Sequence, residues 1–419
     1  MTMIGSMPVK QLAQTYGTPL YVYDEDNIRR ILESYRTNFV SDQFETGVLY
    51  ASKAFSCKAI VKLINEYGMY LDVVSGGELY TAKAAGYDCT KVFFHGNNKT
   101  PDEIEMAMEY GVGTFVVDNP HEAALLAEKS EKSDHVIHTL LRINPGIEAH
   151  THKYIVTGHV DSKFGISMLD RDEIVKTIRT LSGAKNIVFD GFHAHIGSQI
   201  FDAQAYGEEI RKMFAFAKEL KDDCNIAVST INLGGGFSVR YTEADAPIPI
   251  DEVARFIIGR CEEENAVNGN LIKRVLIEPG RSIVAESGYT IYTVGATKKT
   301  PNRLYAFVDG GMADNIRPAL YQAEYDAFVE GKENMPAESE YTIAGKCCES
   351  GDILIQQIAL PRIEPGDLLV MKTTGAYGYS MASHYNKLRL PAVVFAGNGE
   401  SRTVIRRETY EDLIAREEE

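Results

Sequence analysis

The chain has 419 residues, 44% of them hydrophobic and 24% charged, and a formal net charge of −16. That length supports two or three domains with a large core, and the acidic balance argues against a nucleic-acid partner, which needs clustered Lys and Arg. The six cysteines, at 57, 89, 224, 261, 347 and 348, form neither a CxxC pair nor a Cys/His pattern, so no zinc site or disulfide framework is expected. No apolar run has membrane-spanning length, and the expectation is a reduced, soluble, cytoplasmic protein.

In chain order, the first apolar segment is Leu20, Tyr21, Val22 and Tyr23. It reads as a strand that joins a later β domain. From about residue 47 to 281, short apolar runs then alternate with longer amphipathic stretches. The runs cover residues 47–52, 71–75, 91–96, 114–119, 138–144, 189–197, 229–236 and 274–280. Short continuous apolar runs suit strands buried on both faces. Between them lie helices such as 101–110, capped by Thr100, and 121–129. Eight strands alternating with helices predict a (β/α)8 TIM barrel over residues 35–282. After Ser282 short alternating runs are broken by Gly/Pro turns. This predicts a mostly antiparallel β domain built from residues 283–419 together with 1–34.

Almost every predicted barrel strand ends in polar or glycine residues, on the face where TIM barrels carry their active sites. Lys53 ends the first strand. A lysine is usually a surface residue, but one desolvated at that face can become a nucleophilic amine. Gly234, Gly235 and Gly236 end the seventh strand. They are either a flexible turn or a backbone cradle for a phosphate. Glu278 and Arg281 end the last strand, where the carboxylate either pairs with the arginine or faces a cofactor. His193 and His195 alternate along the sixth strand, so both are expected on one side of it. His195, at the strand end, is the better candidate to pack on a planar cofactor.

These motifs stand in a particular order. Tyr50-Ala51-Ser52-Lys53-Ala54 is followed by His193-Ala194-His195-Ile196-Gly197-Ser198-Gln199, Gly234-Gly235-Gly236-Phe237 and Glu278-Pro279-Gly280-Arg281. Ile316-Arg317-Pro318-Ala319-Leu320-Tyr321, Cys348-Glu349-Ser350-Gly351-Asp352 and the stretch from Gly375 to Met381 come next. The set resembles the fold-type III decarboxylases that use pyridoxal 5′-phosphate (PLP), and within them the diaminopimelate decarboxylase family, over nearly the whole chain.

The resemblance implies residue roles. Lys53 carries PLP covalently, His195 stacks on its ring, Glu278 faces the ring nitrogen and Asp72 lies behind the lysine. Ser198, Gly235, Gly236 and Tyr377 surround the phosphate. Arg281, Arg317 and Tyr321 hold the substrate's far carboxylate. Cys348 and Glu349 reach the site of a second copy, which implies a homodimer with shared active sites. The implied reaction is decarboxylation of meso-diaminopimelate to L-lysine. The alternatives are a decarboxylase of ornithine, lysine or arginine, an alanine-racemase-like isomerase, and a non-catalytic PLP-binding protein. Two positions depart from the family pattern: Lys346 stands where proline is usual, beside a doubled cysteine, and His384 stands where asparagine is usual.

Overall fold

The computed structural model describes residues 2–131, 135–147 and 162–418. The chain divides into two compact units. One comprises residues 31–238 and 247–280, the other residues 1–30, 239–246 and 281–419. Residues 239–246, which the sequence reading places inside the barrel, group with the second unit.

The first unit is a closed parallel barrel. Its strands are β1 (Glu45–Ala51), β2 (Tyr70–Val73), β3 (Val92–Phe94), β4 (Thr114–Val117), β5 (Ile137–Asn144), β6 (Ile187–His193), β7 (Thr230–Asn232) and β8 (Arg274–Ile277). Each pairs in parallel with its neighbours, and β8 returns to β1 through Val275 opposite Thr46. A small strand, Ile166–Ser167, adds beside β5. The connecting helices carry their stop and start signals in the sequence. Pro101–Tyr110 begins with a capping box between Thr100 and Glu103 and ends at Gly111 in the left-handed conformation; such a cap contributes about 1 kcal/mol. Pro120–Ser130 is capped by the Asn119 side chain.

The barrel interior is layered. Leu49, Phe93, Val116, Leu140 and Leu276, with Tyr70 against them, form an apolar plug. Side chains two residues apart on a strand point to the same side. The residues two positions after these plug residues therefore form the next inward layer: Ala51, His95, Asp118, Arg142 and Glu278, with Asp72 following Tyr70. Strand alternation thus converts an oily plug into a polar ring within one residue pair.

In the second unit, Leu20–Asp24 pairs antiparallel with the long strand Gly288–Lys299 and parallel with Ala392–Gly397. The sheet runs on through Leu304–Val308, Ser339–Ala344 and Ile353–Leu360 on one side and Glu400–Ile405 on the other. The N-terminal strand thus completes a sheet made mainly from the C-terminal third of the chain, and most pairings are antiparallel, as its alternating pattern predicts. Its core includes Leu20, Val22, Ile291, Val370 and Val394.

Candidate active site

The ring at the C-terminal ends of the barrel strands centres on Glu278, which is buried. Asn232 Nδ2 donates to its Oε1 at 2.7 Å and His193 Nε2 meets its Oε2 at 3.0 Å. His95 Nε2 lies 2.9 Å from Oε1. The two imidazoles stand edge to face, with ring centroids 4.8 Å apart. Burial alone would push the Glu278 carboxyl up, but His95 and His193 outweigh it and hold it well below the usual carboxylate range. Burial pushes His193 itself down to about 4, so at neutral pH it meets Glu278 as an uncharged N–H donor. These three residues also place ligand-type atoms within 4.8 Å of one another. The short N···O contacts identify them as a charge-holding cluster around one carboxylate.

Around this centre, Asp72 is buried with His95 Nε2 3.8 Å from its Oδ1, and desolvation raises its pKa. Glu78 accepts the Val74 N–H at 2.8 Å, and burial pushes it up to about 7. Arg142, whose guanidinium lies over the Phe164 ring, is pushed down by burial. Lys53 sits on a short turn, Ser52–Ala54, directly after β1. Its side chain is exposed, so the strand end does not by itself provide the desolvation expected from sequence. His195 is half-buried just beyond β6, and its Nδ1 accepts the Gly235 N–H at 3.2 Å. That bond leaves the proton on Nε2 and fixes the ring. Burial and then the Lys53 cation push the His195 imidazole well below its ordinary value.

The glycine run is a close-packed crossing rather than a flexible turn. A Cβ on Gly235 would fall 2.2 Å from the Glu278 carbonyl oxygen, and one on Gly236 2.4 Å from that of Gly197. Gly234 and Gly236 also adopt φ of +63° and +104°, which side chains disfavour. Only glycine lets the ends of β6, β7 and β8 meet here. Ser198 is half-buried in the adjoining loop.

In the second unit a different cluster forms. Arg281 and Arg317 are both buried. Their Nη1 atoms donate to one phenol oxygen, that of Tyr241, at 2.5 and 3.0 Å. Arg317 also donates to Tyr325 Oη at 2.5 Å, and the Arg281 guanidinium lies 4.8 Å from the Tyr377 ring centroid. Tyr321, assigned to this group by sequence, is 37% exposed at the end of the helix Arg317–Tyr321; on this chain Tyr325 occupies the place beside Arg317. Cys348 and Glu349 are exposed on a turn anchored by buried Asp352, which accepts the N–H groups of Met312 and Cys347 at 2.7 and 2.8 Å. Cys347 is buried, and desolvation pushes its thiol up to about 11; both thiols are free. His384, the departure from the family pattern, places Nε2 2.8 Å from Glu408.

Sequence reading missed His95, Asn232, Glu78, Tyr241 and Tyr325 as site residues. The first two carried a signal, since each is polar within or directly after an apolar strand. Tyr241 and Tyr325 carried none, because tyrosine fits equally well in a core.

The residues present fit PLP. An amine stands at the barrel mouth, a fixed anion and a fixed imidazole lie beyond it, and three consecutive glycines, Gly234, Gly235 and Gly236, lie at the same strand ends. Buried Asp72 Oδ1 and His193 Nδ1 have no hydrogen-bond partner, and these unmet polar atoms belong to a site rather than a sealed core. Among the described residues no helix is long and apolar enough to cross a membrane. The family model for the pyridoxal-binding domain of pyridoxal-dependent decarboxylases matches residues 25–285. The chain is 48% identical over 412 residues to the diaminopimelate decarboxylase of Bacillus subtilis, covering 98% of this chain and 94% of the relative. It is 43% identical over 416 residues to that of Staphylococcus aureus, covering 99% and 96%. A solved diaminopimelate decarboxylase from M. jannaschii superposes with a TM-score of 0.91 at 34% identity, over 98% of this chain and 94% of that one. A lysine/ornithine decarboxylase from Vibrio vulnificus, at 23% identity and a TM-score of 0.78 over 94% and 98%, shares the fold. With its barrel, its polar ring and these relatives, the chain belongs to the family of pyridoxal-dependent decarboxylases.

Proposed function

We propose that this protein is a PLP-dependent carboxy-lyase that converts meso-diaminopimelate to L-lysine and CO2. The observation that carries the substrate assignment is the pair of buried arginines, Arg281 and Arg317, converging on one oxygen. Diaminopimelate offers a second carboxylate that such a pair binds with charge-assisted hydrogen bonds. The amino acids that yield diamines have no second carboxylate, and two buried cations would face an amine or guanidinium instead. Glu278, rather than an arginine, at the heart of the ring favours a decarboxylase over a racemase.

Bound PLP supplies an electron sink for the charge left when CO2 departs. The protein's own residues do the rest. Lys53 would hold the cofactor through its amine. Glu278, kept ionised by its nitrogen neighbours, holds a proton on the ring nitrogen. His195, fixed through Gly235, packs against the ring. Ser198, Gly235, Gly236 and Tyr377 hold the phosphate, and Asp72 sets the field at Lys53. Arg281 and Arg317 would take the non-reacting carboxylate, with Tyr321 at the exposed end of the helix that Arg317 begins. Lys53 or the Cys348 thiol then returns a proton to the α-carbon. The exposure of Cys348 and Glu349 on their turn supports a homodimer in which these two side chains complete the neighbouring copy's site. Glu349 there binds the distal ammonium. Six free thiols support a cytoplasmic location.

The test is an absorbance spectrum of the purified protein with PLP, followed by assay of CO2 and lysine on adding meso-diaminopimelate. A cofactor band fixed at Lys53 by borohydride, with lysine and CO2 formed in equal amounts, is the expected result. A band without turnover of diaminopimelate would move the assignment to ornithine, lysine or arginine.

A further inference from the structure

Two buried guanidinium groups that share one acceptor are an unusual arrangement, because like charges repel most strongly where water is excluded. Tyr241 resolves that conflict. Its oxygen accepts from Arg281 Nη1 and from Arg317 Nη1. Both guanidinium carbons also lie near its ring, 5.7 and 5.0 Å from the centroid. The ring is held in turn by Tyr325, edge on, with centroids 5.3 Å apart. Guanidinium nitrogens only donate, so neither partner of the phenol oxygen accepts its proton. The oxygen therefore serves both cations as an acceptor. Burial would raise the phenol, yet Arg281 and Arg317 together hold it below its ordinary value.

We propose that Tyr241 is the positioning residue of the anion site. It fixes the spacing and direction of the two guanidinium forks and thereby selects a substrate tail that ends in a carboxylate. This rests on the reading above, that Arg281 and Arg317 hold the distal carboxylate, and it adds the group that makes two mobile cations into one receptor. With Nη1 of each arginine donating to the same phenol, the directions of the two guanidinium planes are set relative to each other, and fixing donors before binding is what lowers the cost of binding.

The experiment uses the full-length enzyme loaded with PLP. Tyr241→Phe keeps the ring and its contacts and removes only the shared acceptor. Three quantities are measured: kcat and KM for meso-diaminopimelate, inhibition by L-lysine, and inhibition by 1,5-diaminopentane, which is lysine without its carboxylate. The expected result is a KM raised about tenfold to a hundredfold, the range for losing hydrogen bonds between charged groups. Inhibition by lysine weakens by the same factor, while kcat and inhibition by the diamine stay within about twofold. Tyr241→His, which restores a ring acceptor, recovers part of the lysine affinity and serves as the test should the phenylalanine variant not fold. Equal weakening of lysine and diamine, or no change in either, overturns the inference. Arg317→Met separates the two levels of argument. If it leaves lysine inhibition intact, the carboxylate reading itself fails. If it weakens lysine and Tyr241→Phe does not, the arginines keep their role and only the proposal for Tyr241 falls.

Discussion

The barrel ring and the arginine cluster are both buried and both charged, yet they are built on opposite principles. In the barrel a single carboxylate, Glu278, is surrounded by nitrogen neighbours from three strands, so its charge is fixed and complete. In the β unit two cations, Arg281 and Arg317, donate to one phenol oxygen, that of Tyr241. A completed charge acts by holding its state through a reaction. Two cations brought onto one acceptor suit the receipt of an anionic ligand. The difference is what supports the proposal that the ring serves chemistry and the cluster recognition.

The comparison breaks if substitutions in the two regions have the same kinetic signature. Lys53→Ala should have the largest effect, lowering kcat by roughly 10²–10⁴-fold through loss of a proton-transferring amine, together with the borohydride-fixed cofactor band. Glu278→Gln, nearly the same shape without the charge, should lower kcat by roughly 10²–10³-fold with little change in KM. Arg281→Met should do the reverse, raising KM for diaminopimelate about tenfold or more while kcat holds. Were Arg281→Met to lower kcat alone, the division between chemistry and recognition would be wrong.

Two smaller effects sharpen the account of how charge is held. His95→Leu removes one nitrogen neighbour of Glu278 and so raises the carboxyl pKa. On acidification, kcat/KM should therefore begin to fall about one pH unit higher than in the parent enzyme. A pH profile that does not move would show that Asn232 and His193 suffice. Glu209, buried on the helix Gln204–Cys224, is the contrasting carboxyl, with neither oxygen hydrogen-bonded. Desolvation raises its pKa well above the ordinary 4.5. The folded chain then holds this proton more tightly than the unfolded chain, so its contribution to stability is full below about pH 4.5 and is lost as pH rises toward the folded value. Glu209→Leu should flatten that dependence and stabilise the protein at pH 8 by about 1–3 kcal/mol, read as a higher urea midpoint. A lower midpoint would mean that the carboxyl has a partner in solution.

Much of this was legible in the sequence. The eight apolar runs are short because each barrel strand is, and their polar ends are the site because a parallel barrel gathers all its strand ends on one face. Lys53, Asp72, His195, Gly235, Gly236 and Glu278 all lie on one such end, and strand order brings them together without any need to know the packing. The N-terminal strand Leu20–Asp24 was also placed with the β domain by its pattern and its position before the first barrel strand.

Other features only the tertiary structure decided. The sequence put His193 and His195 on one side of the sixth strand and Glu278 at the end of the last, but which nitrogen meets which oxygen depends on registers that close around the barrel, such as Gly191 opposite both Leu140 and Thr230. The glycine run looked like a turn or a phosphate cradle, and the 2.2 Å approach to Glu278 showed that close backbone packing demands it. Tyr241, Arg281, Arg317 and Tyr325 stand up to 84 positions apart and share no local pattern. Local pattern reports only what neighbours along the chain share, a face or a cap. A cluster assembled from segments far apart in the chain is specified by packing, and packing is what a linear sequence does not display.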